Sequence, residues 1–287
     1  MMSVILLYSE VYADGIPKSD AFESTRKKES MDDSEFSRDF EEAFYTCAGS
    51  RMFTKYSRKG APTVLFLAGM GDSCETWKGV QNRIAQITST FSYDRAGTGR
   101  SDAVSGPRTC HDLAQELAEL VWHISVEPPF IIVGHSFGGL VARLFASYYP
   151  SLVEGLVLVD AAVEYKELAY EEVLPKKLQA TNRAYLEDPM LNHEKIDKLQ
   201  SYKQVAEHPQ LGNIPLAILT RGLPDHHPDG WPQQEILQME QELQIKMQRL
   251  STISRCKIAQ RSRHYIHHDE PECVIEEIEI MIKGIAK

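Results

Sequence analysis

The sequence predicts an α/β fold, a doubly wound and mostly parallel sheet with a helical lid insertion. Three observations lead there. From Thr63 onward, short apolar runs alternate with longer amphipathic stretches. The runs are apolar throughout, the pattern of strands covered on both faces rather than one. One connection, Ala162 to Asn213, is far longer than the rest and carries helical patterns of its own. Loops of such length are uncommon in compact domains unless they have a task.

Taken in order, residues 9 to 40 are rich in Ser, Asp, Glu and Lys and too poor in apolar positions for a core element, so 1–45 is expected to be an N-terminal extension, partly disordered. Strands are expected in "TVLFLAG", "STFSYD", "FIIVG", "GLVLVD" and "PLAILT", each ending near Gly or Asp. Between the second and third, "RTCHDLAQELAELVWHIS" opens with Thr109 and Asp112 at capping-box spacing. It then sets Leu113, Leu117, Leu120, Val121 and Ile124 on one helical face. After the third strand, Leu140, Val141, Leu144, Phe145 and Tyr148 repeat that spacing until Pro150 stops the helix. Strand–helix–strand alternation implies right-handed crossovers and a layered sheet.

The connection 163–213 reads as helical in "EYKELAYEEVL" and "HEKIDKLQSYKQVAEH" and is expected to form a lid over the strand ends. A long helix from Trp231 to Leu250 should follow, then a short strand near Lys257 to Gln260. A last helix should bury Val274, Ile275, Ile278, Met281, Ile282 and Ile285. The core is thus split into 46–162 and 214–287.

Composition narrows function by exclusion. Hydrophobic residues at 43% and charged residues at 25% are ordinary for one globular unit of 287 residues and suggest no membrane span. With 31 basic and 41 acidic residues the net charge is −10, which disfavours a broad nucleic-acid or anionic-membrane surface and suits a small neutral substrate. Five scattered cysteines without CxxC spacing argue against a disulfide framework and for a reducing compartment. "MMSVILLYSEVYA" makes a poor signal peptide, so a cytoplasmic location is expected. No cofactor is expected: Gly97-x-Gly99 lacks the rest of a dinucleotide fingerprint. No metal is expected either, since adjacent His226 and His227 in "DHHPD" diverge and read as a solvated turn. Trp77, Trp122 and Trp231 read as core or pocket wall, and Cys74 as a candidate pocket residue.

Gly134-His135-Ser136-Phe137-Gly138 follows an apolar strand and opens an amphipathic helix, the context that gives G-x-S-x-G its meaning. A serine on so tight a turn is strained, at a cost of about 1–3 kcal/mol, and its neighbours two residues away must lack a Cβ. The return is an exposed hydroxyl at the positive end of a helix, where a nucleophile and an oxyanion are both favoured.

At this motif the chain resembles the α/β-hydrolase fold superfamily, from about Gly49 to the C-terminus. "LFLAGMGDSCETW", "YDRAGTGRSD", "VEGLVLVDAA" and "RSRHYIHHDEPECVIEEI" are similar to its oxyanion loop, the segment after the next strand, the strand before the lid and the histidine segment. The resemblance implies a cofactor-independent serine hydrolase with Ser136 as nucleophile and His264 as base. His267 and His268 would then start a helix. Two carboxylates compete for the acid: Asp160, at the end of "GLVLVD", and Asp225, in the Gly-x-x-Asp spacing after "PLAILT", with Asp229 further out; Asp160 is slightly favoured. The backbone amides of Phe137 and Met70 would form the oxyanion hole. Ala68 stands where many relatives carry a loop-bracing histidine, and Arg263 where a small residue is common.

The expected reaction is cleavage of a carboxylic ester or lactone through an acyl-enzyme on Ser136. Alternatives are C–C, amide or peracid chemistry by the same side chains, or a non-catalytic ligand-sensing protein that keeps the fold.

Overall fold

A computed structural model describes residues 40–225 and 230–285. The extension through residue 39 and His226, His227 and Asp229 lie outside the described residues.

The chain enters through an antiparallel hairpin, β1 (Glu41–Cys47) and β2 (Ser50–Ser57). Its two-residue turn, Ala48-Gly49, has positive φ at both positions, as the right-handed twist of paired strands demands. The first parallel strand is β3 (Thr63–Leu67), followed by α1 (Lys78–Ile84), β4 (Ser89–Tyr93), α2 (Cys110–His123) and β5 (Phe130–His135). Next come α3 (Phe137–Tyr148) and β6 (Val153–Val159). The long connection holds α4 (Lys166–Tyr170), α5 (Lys176–Glu187) and α6 (Lys198–Ala206). The chain then completes the sheet and its cover with β7 (Leu216–Arg221), α7 (Gln233–Lys246), β8 (Ser254–Ala259), α8 (Ile266–Asp269) and α9 (Pro271–Ile285).

The eight strands of the described residues form one sheet in the order β1-β2-β4-β3-β5-β6-β7-β8. Pairing is antiparallel from β1 to β4 and parallel beyond, so the sheet is mostly parallel. The order doubles back at β3 and β4, so β3 and β5 lie side by side.

Strands β3 and β5 are buried along their whole length. Leu65, Ile132, Leu156 and Ile218 point to the face covered by α2 and α3, whereas Val64, Ile131, Val157 and Ala217 point to the face covered by α1 and α9. Apolar residues at both parities are therefore what a two-sided cover requires.

Several expectations need adjustment. Helix α2 begins as read, with Thr109 Oγ1 accepting from the Asp112 amide and the Asp112 carboxylate accepting from the Thr109 amide. The expected single helix from Trp231 to Leu250 is instead α7 followed by a 3-10 turn over Met247–Leu250. "HEKID" is not helical, and α6 starts only at Lys198. Strand β1 begins at Glu41, inside the span read as extension. Trp77 and Trp231 are buried, but Trp122 is 56% exposed and lies edge-on to Tyr149. It sits on the outer face of α2, whose inner face holds Leu113, Leu117 and Leu120.

The Thr109 cap gives a simple test. Thr109→Ala is expected to lower stability by about 1 kcal/mol in urea unfolding. Thr252→Ala, at an exposed hydroxyl that donates to the Gly212 carbonyl, is expected to stay within about 0.5 kcal/mol of wild type.

Candidate active site

Strands β5 and β6 run parallel with His135 opposite Val159. The next residue on each strand is a candidate, Ser136 and Asp160, and the two stand together at the carboxyl edge of the sheet. Both backbones are forced out of the ordinary regions, with φ of 48° at Ser136 and 39° at Asp160. Neither is a glycine, so the surrounding structure must hold them there. The Ser136 amide donates to the Val159 carbonyl at 3.2 Å, and the Ser136 carbonyl accepts from Gly139 and Ala162. The Asp160 amide donates to Leu219 at 2.7 Å.

The glycines flanking Ser136 make this corner possible by close approach. A Cβ on Gly134 would lie 2.7 Å from the Gly138 carbonyl oxygen and Gly139 Cα. One on Gly138 would lie 2.4 Å from the Leu67 carbonyl oxygen. Helix α3 thus starts pressed against the end of β3, which brings its first amide, Phe137, beside the loop that carries Met70. An amide at the first helical position has no intrahelical partner and points outward along the axis.

His264 follows β8. Its Nδ1 lies 2.6 Å from Asp160 Oδ2. A carboxylate only accepts, so Nδ1 carries a proton, and the neutral form of the ring has its lone pair on Nε2. The backbone carbonyl of His264 accepts from His135 Nε2 at 3.1 Å, and the two rings lie 4.5 Å apart. His264 is therefore tied through its ring to the residue after β6 and through its backbone to the residue just before Ser136. Burial, with His264 alongside, lowers the His135 pKa, and its Nε2 proton goes to the His264 carbonyl.

Asp160 is buried and its carboxylate is fully used. Oδ2 accepts from His264 and from Arg221 Nη1 at 2.7 Å, while Oδ1 accepts from the Arg221 amide at 3.3 Å and from Gln244 Nε2 at 3.0 Å. Burial alone would raise this carboxyl. The Arg221 guanidinium and the His264 bond outweigh it and hold the group far below the usual carboxylate range. Arg221 in turn pairs with Glu240, which also meets Lys166 at 3.2 Å and the Tyr170 hydroxyl. A chain of alternating buried charges thus runs from the histidine through β7 into α7 and α4.

Asp225 lies beyond β7, where its charge helps to raise the Tyr265 phenol, an effect smaller than those of burial and Asp72. Among the described contacts, the carboxylate bonded to His264 is that of Asp160. His267 and His268 belong to α8. His267 stacks on Trp77 at 4.3 Å and meets Thr76 Oγ1 at 2.8 Å, a packing role. Arg263 is exposed. Cys74 is buried, its thiol pushed up by burial and by Asp94, and its amide donates to Asp94.

Residues that sequence reading did not single out support the oxyanion loop. Arg95, in "DRAGTG", donates to the carbonyls of Ala68 at 2.7 Å and Gly69 at 2.5 Å. Asp72 faces His135 Nδ1 at 3.6 Å and accepts from the Tyr265 hydroxyl at 3.3 Å. The site thus combines a hydroxyl on a strained turn with an imidazole held by a buried carboxylate, at the start of a helix. Such a set can activate a nucleophile and stabilise an oxyanion. The groups of three or more His, Cys, Asp or Glu that could hold a metal ion are absent among the described residues.

The Arg221 pair yields a prediction with a definite sign. The folded-state pKa of Asp160 is depressed, so its stabilising contribution is present above the unfolded value of about 3.9 and lost as pH falls through the folded value. Arg221→Met removes the guanidinium from between two buried carboxylates and is expected to cost about 3–5 kcal/mol at pH 7. Burial then raises the Asp160 pKa, so the gap between variant and wild type should narrow as pH falls toward about 4. Urea unfolding at both pH values measures it, and a constant gap contradicts the assignment.

Comparison with known proteins places this geometry in context. The family model described as alpha/beta hydrolase fold matches residues 62–210. Over 241 residues the chain is 34% identical to the uncharacterized protein YqjL of Bacillus subtilis (strain 168), covering 81% of this chain and 88% of that one. It is 33% identical over 102 residues to the putative carbamate hydrolase RutD of Cronobacter turicensis, covering 35% of this chain and only 38% of that relative. Among solved structures, a putative lipase (lip1) from Acinetobacter baumannii AYE superposes with a TM-score of 0.63 at 16% identity, covering 99% of this chain and 96% of that one. That last likeness is one of fold alone. With the model matched across the strands that carry Ser136 and Asp160, the chain belongs to the alpha/beta hydrolase fold family.

Proposed function

We propose that the protein is a serine hydrolase that cleaves a carboxylic ester or lactone through an acyl-enzyme on Ser136. The observation that carries this reading is the 2.6 Å bond from His264 Nδ1 to Asp160 Oδ2 beside the positive-φ serine. Membership of a hydrolase fold family, and partial similarity to a protein named putative carbamate hydrolase, support hydrolysis in general.

In this reading Nε2 of His264 takes the Ser136 proton as Oγ attacks the acyl carbon. The imidazolium that forms is stabilised by Asp160, which Arg221 and Gln244 keep ionised and fixed in orientation. The amides of Phe137 and Met70 receive the oxyanion. His264 then protonates the leaving alkoxide, and water, deprotonated by the same nitrogen, releases the acid. The segment 163–213 acts as a lid that selects substrates by shape, with 46–162 and 214–287 as the two parts of the core. The substrate is a small neutral molecule that needs no cofactor. A cytoplasmic location fits the scattered cysteines. No described helix is long and apolar enough to cross a membrane.

Similarity to RutD favours one alternative bond, a carbamate, which the same side chains would attack in the same way. A panel of p-nitrophenyl esters, lactones and aryl carbamates separates the two, the faster class by kcat/KM identifying the bond.

Ser136→Ala is expected to abolish both turnover and fluorophosphonate labelling. Asp160→Asn is expected to lower kcat by about 10⁴-fold, whereas Asp225→Asn stays within about threefold of wild type. Ligand binding without labelling or turnover in the wild type would point to a sensor instead.

A further inference from the structure

The loop that carries Met70 is held from an unexpected direction. Glu194 lies in the connection between β6 and β7, far from the loop in sequence, yet its side chain is fully buried. Its Oε1 accepts from the Gly71 amide at 2.7 Å and from Arg95 Nη2 at 2.7 Å, and its Oε2 accepts from Arg95 Nε at 2.7 Å. Arg95, 2% exposed, also donates to the carbonyls of Ala68 and Gly69. One carboxylate and one guanidinium therefore contact the backbone on both sides of Met70, the residue whose amide is assigned to the oxyanion.

The segment that carries Glu194 is itself fixed. The Asn192 side chain closes a turn by bonding both the amide and the carbonyl of Ile196. The Arg108 amide donates to the Lys195 carbonyl, and the Asp197 amide donates to the Arg108 carbonyl. Lys195 Nζ reaches the Val104 and Ser105 carbonyls. Arg108 also approaches Glu194 Oε2 at 3.7 Å. This turn, within the segment read as a lid, is stitched to the edge of the core.

We propose that Glu194 is a positioning residue that, through Arg95 and the Gly71 amide, sets the orientation of the Met70 amide in the oxyanion hole. It takes the place of the side chain that Ala68 does not supply. The bidentate ion pair fixes Arg95, Arg95 fixes two carbonyls, and the peptide plane between Gly69 and Met70 has no freedom to turn. A donor so held costs no reorganisation when negative charge develops, which is where such donors act.

The catalytic part of this proposal rests on the serine-hydrolase reading; the clamp itself does not. Two measurements on Glu194→Gln keep them apart. The first is hydrogen exchange of the peptide spanning residues 68–73, which requires no substrate. The second is steady-state ester hydrolysis, with kcat expressed per site labelled by fluorophosphonate.

The substitution is expected to speed exchange at the loop by about tenfold or more, in line with local opening. Per-site kcat is expected to fall about 10–100-fold with KM within about threefold, because the lost interaction acts in the transition state. A role in folding alone would lower the labelled fraction and leave per-site kcat unchanged. Should Glu194→Gln not fold, Glu194→Asp keeps the charge beside Arg95 but is too short to hold Gly71 as well, and the same two readouts apply. Unchanged loop exchange, or unchanged per-site kcat in an active enzyme, overturns the proposal. If the wild type neither labels nor turns over ester, the hydrolase reading fails, and faster or unchanged exchange then supports or overturns the clamp on its own.

Discussion

A single buried carboxylate, Asp160, is shared between the histidine and an arginine, and this sharing governs the site. In the interior an unpaired carboxylate would take up a proton, and a protonated Asp160 would no longer favour a charged imidazole. Arg221 prevents this, and Gln244 and the Arg221 amide occupy the remaining lone pairs. Glu240 then balances the second half of the guanidinium. Buried ion pairs of this sort contribute little net stability compared with apolar packing. Their presence around one histidine is better understood as a fixing of geometry.

The same economy appears on the opposite side of the site. Arg95 and Glu194 cancel one another in charge, and both also bond backbone groups of the loop after β3. Asp94, the residue before Arg95, binds the amides of Cys74 and Arg100. A Cβ on Gly99 would stand 2.1 Å from its carboxylate. "YDRAGTGRSD" is thus a bracket that fastens the loop after β3 to the end of β4.

Much of this was legible in the sequence, and the limits have physical causes. The parallel strands were readable because burial on both faces leaves continuous apolar runs, and α2 because its cap residues sit at fixed spacing. The corner at Ser136 was readable because close backbone approach leaves glycine no substitute. The hairpin of β1 and β2 was missed, since its first strand opens on two glutamates that continue the charged stretch before it; the aromatic pair Phe44-Tyr45 was the available signal. Asp160 and Asp225 could not be separated by spacing alone, because the choice depends on which carboxylate has a buried cation behind it. Arg221, at the end of an otherwise apolar strand, was the clue. Glu194 left no such trace, as its partners, the Arg95 guanidinium and the Gly71 amide, lie 99 and 123 positions away.

The position of Glu194 also bears on how members of this fold exchange parts. The stretch between β6 and β7, the longest connection in the described chain, is where one would cut to exchange a segment with a relative. In this protein that graft would carry away the counter-ion of a buried arginine and leave the main chain around Met70 without its brace. A workable chimera must therefore retain the turn from Asn192 to Asp197 in the host and splice on either side of it.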